Sequence, residues 1–458
     1  MRAYRIGRGL ACGLALSALA TTAGVARADG AHADGVPLAG IDHILVVYLE
    51  NRSFDSLFGL FPGADGLANA GAAAVQLDKE GKPYVTLPPV LDLGHKPPKP
   101  DSRFPPDLPN RPFDIGMFAP LDQKTSDLVH RFYTNQEQID GGRNDRFVAW
   151  SDAGALTFGH YNTSPTVQWK LAQDYTLADG FFQAAFGGSF LNHFWLVCAC
   201  TPVFPDAPEA LRASLDDKGR VIKDGAVTPD GFAVNTVLSA NRPHPDSVPA
   251  EKLLPPQTMP TIGDRLSEKG VSWAWYSGGW NDALAGKPDP DFQFHHQPLA
   301  YFAQFGDGTP ARAEHLKDYA DLDKAIAEGA LPSVVFYKPL GPLNQHPGYS
   351  EIASADAHLG ALMEKLQKSP QWPRMAVIIT SDENGGFWDH APPPKGDRWG
   401  PGTRIPAIIV SPRAKKHFVD HTQYDTTSIL ATIEHRFGLP PLTDRDAKAR
   451  DLGNAFEE

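Results

Sequence analysis

Two apolar runs in this chain each lead straight into a cluster of acid and amide groups. The first is Ile44-Leu45-Val46-Val47-Tyr48-Leu49, followed by Glu50-Asn51. The second is Met375-Ala376-Val377-Ile378-Ile379-Thr380-Ser381, followed by Asp382-Glu383-Asn384. Unbroken apolar character suits strands of a parallel sheet that is covered on both faces. In open α/β sheets the ligand site lies beyond the carboxyl ends of the strands. Acids far apart in sequence can therefore meet at one rim, where they repel each other unless a cation joins them. The expectation is a cation-dependent site on the rim of an α/β sheet.

Shorter apolar runs at residues 272–276, 333–337 and 405–410 predict further strands. Helical patterns over residues 164–177, 353–368 and 426–437 alternate with them. Asp425 or Thr426 is placed to cap the last helix, and Gly438 and Pro440 to end it. Such alternation predicts an α/β/α sandwich with a central, mostly parallel sheet. Residues 86–121 and 201–258 are proline-rich and are expected as long ordered insertions in a single catalytic domain spanning 29–458. The second of them carries a turn signal at Asp216-Asp217-Lys218-Gly219.

Residues 1–28 read as a targeting signal. Arg2, Arg5 and Arg8 form a basic start, residues 10–25 are apolar and small, and Ala26-Arg27-Ala28 is a cleavage site ahead of Asp29. The separated arginines do not make a twin-arginine signal. The apolar run is short for a membrane span. A periplasmic or secreted protein without a stable membrane anchor is expected, cleaved near Ala28. Losing the signal's four arginines and no acid takes the formal charge from −12 to −16. So acidic a chain does not attract nucleic acid by its overall field. An anionic substrate would need local positive charge from a metal or histidines. Cys12 leaves with the signal. Cys198 and Cys200 read as small core residues, with a bond between the two as the minor alternative, and not as a disulfide framework or a zinc site.

Local motifs carry both bland and chemical readings. Glu50-Asn51-Arg52-Ser53-Phe54-Asp55 offers hard oxygen ligands, or merely a turn in which Asn51 or Ser53 caps the next helix and Arg52 pairs with an acid. Asp382-Glu383-Asn384-Gly385-Gly386-Phe387-Trp388-Asp389-His390 sets two acids before a glycine pair that lets the backbone turn tightly. Phe186-Gly187-Gly188-Ser189-Phe190-Leu191-Asn192-His193 puts a serine at the start of an apolar helix, as a nucleophile favoured by the helix dipole or as a plain cap. His130, His295, His296 and His346 could bind phosphate oxygens or protonate a leaving group.

Together, in this order, these motifs resemble the bacterial phosphoesterase family of acid phosphatases and phospholipases C, within the alkaline phosphatase superfamily. The resemblance covers nearly all of residues 40–445. It implies an alkaline phosphatase-like sandwich and one divalent metal ion (Ca, Mg, Mn or Zn), held by Glu50, Asn51, Ser189, Asp382 and Glu383. Ser189 matches the nucleophile, and His130, His295, His296 and His346 match the catalytic histidines of the acid phosphatase branch. Residues 292–302 tilt the resemblance to that branch, as does His193, where phospholipase C members usually carry arginine. The expectation is an exported acid phosphatase acting on small phosphate monoesters through a phosphoserine. The alternatives are a phospholipase C-type diesterase on phospholipid head groups and a non-catalytic periplasmic phosphate- or metal-binding protein. Oligomeric state is left open.

Overall fold

The computed structural model describes residues 37–457. The signal, its cleavage site and Cys12 lie outside the described residues. Eight strands form the main sheet: β1 (His43–Leu49), β2 (Thr176–Ala178), β3 (Trp273–Ser277), β4 (Leu316–Asp318), β5 (Val334–Lys338), β6 (Met375–Ser381), β7 (Ala407–Val410) and β8 (Phe418–Asp420). Their order across the sheet is β4-β3-β5-β1-β6-β7-β2-β8. Pairing is parallel between β1 and β5, β1 and β6, β3 and β5, β3 and β4, and β2 and β8. Only β7 runs against its neighbours β6 and β2.

Both expected strands therefore lie side by side at the centre of the sheet. Every residue of β6, and all of β1 after His43, is buried. Alternate side chains serve two cores, as period-2 geometry requires. Ile44, Val46 and Tyr48 face one core with α3 (Ser189–Cys198), α4 (Ile262–Lys269) and α7 (Thr427–Phe437). Leu45, Val47 and Leu49 face the other with α1 (Phe54–Phe58), α2 (Val167–Asp174), α5 (Tyr319–Glu328) and α6 (Ile352–Lys368). The fold is an α/β/α sandwich around a mostly parallel sheet, and the described residues belong to one compact unit.

Local chemistry sets the boundaries. In α2, Thr166 caps the start by accepting from the Trp169 N–H at 3.1 Å. The helical pattern read over 164–177 ends at Asp174, because Thr176-Leu177-Ala178 pairs into the sheet. At α7, Asp425 accepts from the Thr427 N–H at 2.7 Å, while Thr426 makes no side-chain cap. The insertions are ordered. Within the second, Ser214–Leu215 and Val221–Lys223 form a hairpin around the Asp216–Gly219 turn, whose Gly219 has φ of 77°.

One expectation is overturned. Cys198 and Cys200 are joined by a disulfide. The argument that a helix would aim them apart fails because α3 stops at Cys198. Ala199 then turns left-handed at φ 45°, which folds Cys200 back onto the helix end.

Candidate active site

Parallel registry builds the rim. Leu49 pairs with Ser381, so Glu50-Asn51 and Asp382-Glu383 emerge next to each other. The Asn51 N–H donates to Asp382 Oδ1 at 3.3 Å, and the Glu383 N–H to the same oxygen at 2.8 Å. Asn51 itself is left-handed at φ 60° and is not a cap; Ser53 caps α1. Gly385, at φ +60°, allows the two loops to touch, since a Cβ there would lie 2.4 Å from Asn51 O. Arg52 does not pair with an acid. Its guanidinium donates to Gln345 O at 3.1 Å and lies over the Phe387 ring.

Ser189 comes to this rim from the other side. It is the first residue of α3, with Gly188 as the N-cap. The Ser189 hydroxyl lies 3.1 Å from Asn51 Oδ1 and 3.3 Å from Glu383 Oε1. The helix is locked to the loop before it by Asn192, which accepts from the Ala185 N–H at 3.0 Å. Gly187 and Gly188 let this loop pack on the His130 segment.

The histidines divide into two groups. His130, His295 and His346 line a cleft of about 210 Å³ together with Glu50, Ser189 and Arg131. His296 does not line it but stands behind Glu50, with Nε2 against Glu50 Oε1 and its ring stacked on His193. His193 is fully buried and its Nδ1 donates to Ser189 O at 2.7 Å, so the residue that departs from the phospholipase C pattern braces the serine's own backbone. Both His130 and His346 place Nδ1 against backbone carbonyls, Leu128 O and Pro347 O at 2.5 Å each, and turn Nε2 to the rim, 3.8 Å from Glu383 Oε1 and 3.5 Å from Glu50 Oε2.

Charges at the rim are heavily perturbed. Burial, with Asp382 adding to it, pushes the Glu383 carboxyl up to about 8, although His130 pulls the other way. Burial and Glu50 raise Asp382 to about 6 against Lys338. For Glu50, burial is outweighed by His296 and Lys338, and its carboxyl stays well below the usual range. Burial opposes the charge of His130, but Glu383 and Asp127 override it and lift the imidazole to about 9. Burial lowers His295 and His346, and takes His296 to about 4.

Sequence reasoning missed Lys338. This lysine ends β5, next to β1, and is fully buried. Its Nζ donates to Asp382 Oδ2 at 3.1 Å and pairs by charge with Glu50 Oε1 at 2.8 Å. The signal was there to read, as a lysine closing the apolar run Val334-Val335-Phe336-Tyr337. Tyr349, whose hydroxyl donates to Glu50 Oε2 at 3.2 Å, had none.

Whether a divalent ion fits can be judged from the donors. Ser189 Oγ lies within hydrogen-bonding distance of both Asn51 Oδ1 and Glu383 Oε1, all three buried and all oxygen. Three buried carboxylates at one rim incur a repulsion that hard cations relieve. The donor set fits such an ion. Among the described residues, two other acid–histidine groups have ligand atoms within 4.8 Å of one another, Asp127/His130/His346 at the cleft and Asp55/Asp389/His390 behind the rim. In the second, Arg404 already fills the cation's place, 2.9 Å from Asp389 and 3.1 Å from Asp55.

Comparison with known proteins agrees with this chemistry. The phosphoesterase family model matches residues 41–440. The chain is 26% identical to phospholipase C B of Mycobacterium tuberculosis, over 96% of this chain and 84% of that protein. It is 23% identical to the non-hemolytic phospholipase C of Pseudomonas aeruginosa, over 97% of this chain and 61% of that protein. A solved structure of an alkaline phosphatase superfamily protein from Vibrio parahaemolyticus shares 12% identity, over 73% of each chain, with a TM-score of 0.35. The relatives' names favour the phospholipase C alternative over the acid phosphatase expectation. No helix among the described residues is long and apolar enough to cross a membrane. The chain belongs to the phosphoesterase family and is a phosphoester hydrolase.

Proposed function

We propose that this phosphoesterase-family chain hydrolyses small phosphate monoesters, with Ser189 as the nucleophile. The observation that carries the reading is the cleft itself. Ser189 lies in a polar space of about 210 Å³ edged by His130, His295, His346 and Arg131. That volume suits a phosphate with a small alcohol, and the side chains around it suit an anion.

Asn51 and Glu383 orient the Ser189 hydroxyl. Its proton passes to the Glu383 carboxylate 3.3 Å away, and its oxygen forms a bond to phosphorus as the bond from phosphorus to the alcohol oxygen breaks, leaving a phosphoserine. Charged His130 contacts the phosphate and can pass its Nε2 proton to the departing alkoxide. Water then attacks phosphorus, releases phosphate and restores the serine. A divalent ion bound by Glu50, Asn51, Ser189, Asp382 and Glu383 would lower the pKa of the hydroxyl and offset charge on the phosphate. The basic start and apolar run of residues 1–28 support export, which N-terminal sequencing of the mature protein would check.

The second reading is a phospholipase C-type diesterase, favoured by the names of the curated relatives. Nitrophenyl phosphate and nitrophenyl phosphorylcholine separate the two. The monoester reading expects faster turnover of the former, abolished in Ser189→Ala while metal binding persists. Preference for the diester would replace it with the second reading. Binding of phosphate or metal without turnover of either would support a binding protein. Full activity of Ser189→Ala in metal-replete buffer would remove the nucleophile assignment.

A further inference from the structure

Lys338 holds the two halves of the rim together by charge. Its Nζ meets three oxygens: Glu50 Oε1 at 2.8 Å, Asp382 Oδ2 at 3.1 Å and Leu49 O at 3.3 Å. An ammonium has three protons and no acceptor capacity. It donates to Leu49 O and Asp382 Oδ2 and makes ion-pair contact with Glu50, in a place without solvent. Registry fixes this position. Tyr337 pairs with Val47 in β1, so Lys338 stands level with Tyr48 and its long side chain extends to the acids that follow β1 and β6.

A charge count shows what this does. Glu50, Asp382 and Glu383 bring three negative charges to a buried rim. Charged His130 stands 3.8 Å from Glu383, and the Lys338 ammonium offsets a second of the three charges where an unpaired buried charge is costly. Little negative charge is left to draw a second metal ion, and the space between Glu50 and Asp382 is already taken.

We infer that Lys338 is a built-in second cation of this centre, standing where a second metal ion would bridge Glu50 and Asp382, and so limiting the site to one divalent ion. The inference rests on the proposed metal site. Because the ammonium and the metal share carboxylates, each weakens the other's hold. A lysine that were only a strut would behave differently, since removing it would loosen the ligands and weaken the metal.

The test uses the mature full-length protein stripped by a chelator. Mn²⁺ alone is titrated calorimetrically, and thermal unfolding is followed in chelator. Wild type is expected to take one ion per chain. Lys338→Met, similar in length and neutral, is expected to bind Mn²⁺ at least tenfold more tightly, since cations sharing ligands in a buried site repel by more than that. The same variant is expected to unfold at a lower temperature without metal, its carboxylates having lost their partner. Opposite signs in the two measurements are the signature. Lys338→Gln, which keeps a donor without the charge, carries the same expectation and serves if the methionine variant does not fold. One ion in wild type, with equal or weaker binding in the variants, overturns the role of Lys338 alone, and two ions in wild type overturn it as well. No Mn²⁺ binding by wild type overturns the metal-site reading on which it rests.

Discussion

Arg404 offers the sharpest test of how the two rim loops are held. Its side chain is 1% exposed and reaches four partners. It donates to Asp389 Oδ1 at 2.9 Å, Asp55 Oδ1 at 3.1 Å, Asp65 O at 2.8 Å and Asp179 O at 2.9 Å. Asp55 follows β1 and Asp389 follows β6, so the guanidinium ties both loops. His390 completes the group with Nδ1 2.6 Å from Asp55 Oδ2. Although burial opposes its charge, the hydrogen bond to Asp55 lifts His390 to about 9. Burial raises Asp389 to about 6 even with Arg404 holding it down. Two buried carboxylates and two cations balance at neutral pH, with the half-exposed Asp65 carboxylate 3.3 Å from His390 at the edge of the group.

Arg404→Met leaves the group one negative charge in excess, with its partners still buried. Breaking a buried pair in this way costs about 3–5 kcal/mol, which should appear in guanidinium unfolding at pH 8. Asp389 already has a raised folded pKa, and the variant raises it further. A carboxyl raised in the fold takes up protons as pH falls and so gains stability towards acid. The loss at pH 5 should therefore be smaller by about 1.4 kcal/mol, the worth of one pKa unit. Turnover should fall as well, since displacement of a catalytic group by about 1 Å costs about 100-fold. A loss below about 1 kcal/mol at pH 8, or equal losses at the two pH values, would refute the idea that Arg404 neutralises this group.

Gly385→Ala sets a Cβ 2.4 Å from Asn51 O at φ +60°, so the loops must part. The expected outcome is a loss of about 2–4 kcal/mol, from left-handed strain plus overpacking, with a drop in kcat. Wild-type values for both would show that the loop contact is not needed. Glu434 is buried, and burial followed by its hydrogen bond to Asp446 raises its carboxyl to about 9. Between about 4.3, its usual value, and 9 the fold keeps a proton that the unfolded chain releases, so wild type loses stability as pH rises. Glu434→Gln removes that slope, and its melting temperature should exceed that of wild type at pH 8 and converge with it near pH 4.5; parallel curves would count against the shared proton. Burial lowers His346 below its usual value while His130 stays charged to about 9. If charged imidazoles bind phosphate, kcat/KM should fall as pH rises past His346 and fall again near 9. His346→Gln should abolish only the first step, and a flat wild-type profile from pH 4 to 8 would argue against phosphate binding by charged His346.

What could be read from the sequence depended on whether a signal was local. The runs before Glu50 and Asp382 fixed the centre of the sheet, because an unbroken apolar strand has few other places to go. The meeting of Ser189 with Asn51 and Glu383 came only from resemblance, since no spacing states that a helix will start opposite a strand end. Cys198 and Cys200 were misread because one left-handed residue, Ala199, decides whether they diverge or join. His296 was counted with the catalytic histidines by resemblance; consecutive residues of a short 3₁₀ turn point apart, so of this pair His295 lines the cleft and His296 turns to Glu50 and His193. Lys338 is the most instructive omission. Carboxylates converging on a rim demand positive charge, which a side chain supplies as well as a metal does. Once β1 and β6 are neighbours and β5 flanks β1, a lysine that ends β5 is within reach of the first acid. A lysine there is either a misplaced charge or a partner, and buried lysines persist only as partners. The same reasoning reads Arg404, which follows a glycine and threonine just before β7. Wherever strands deliver acids to one rim, the strand ends beside them are the places to look for the opposing charge.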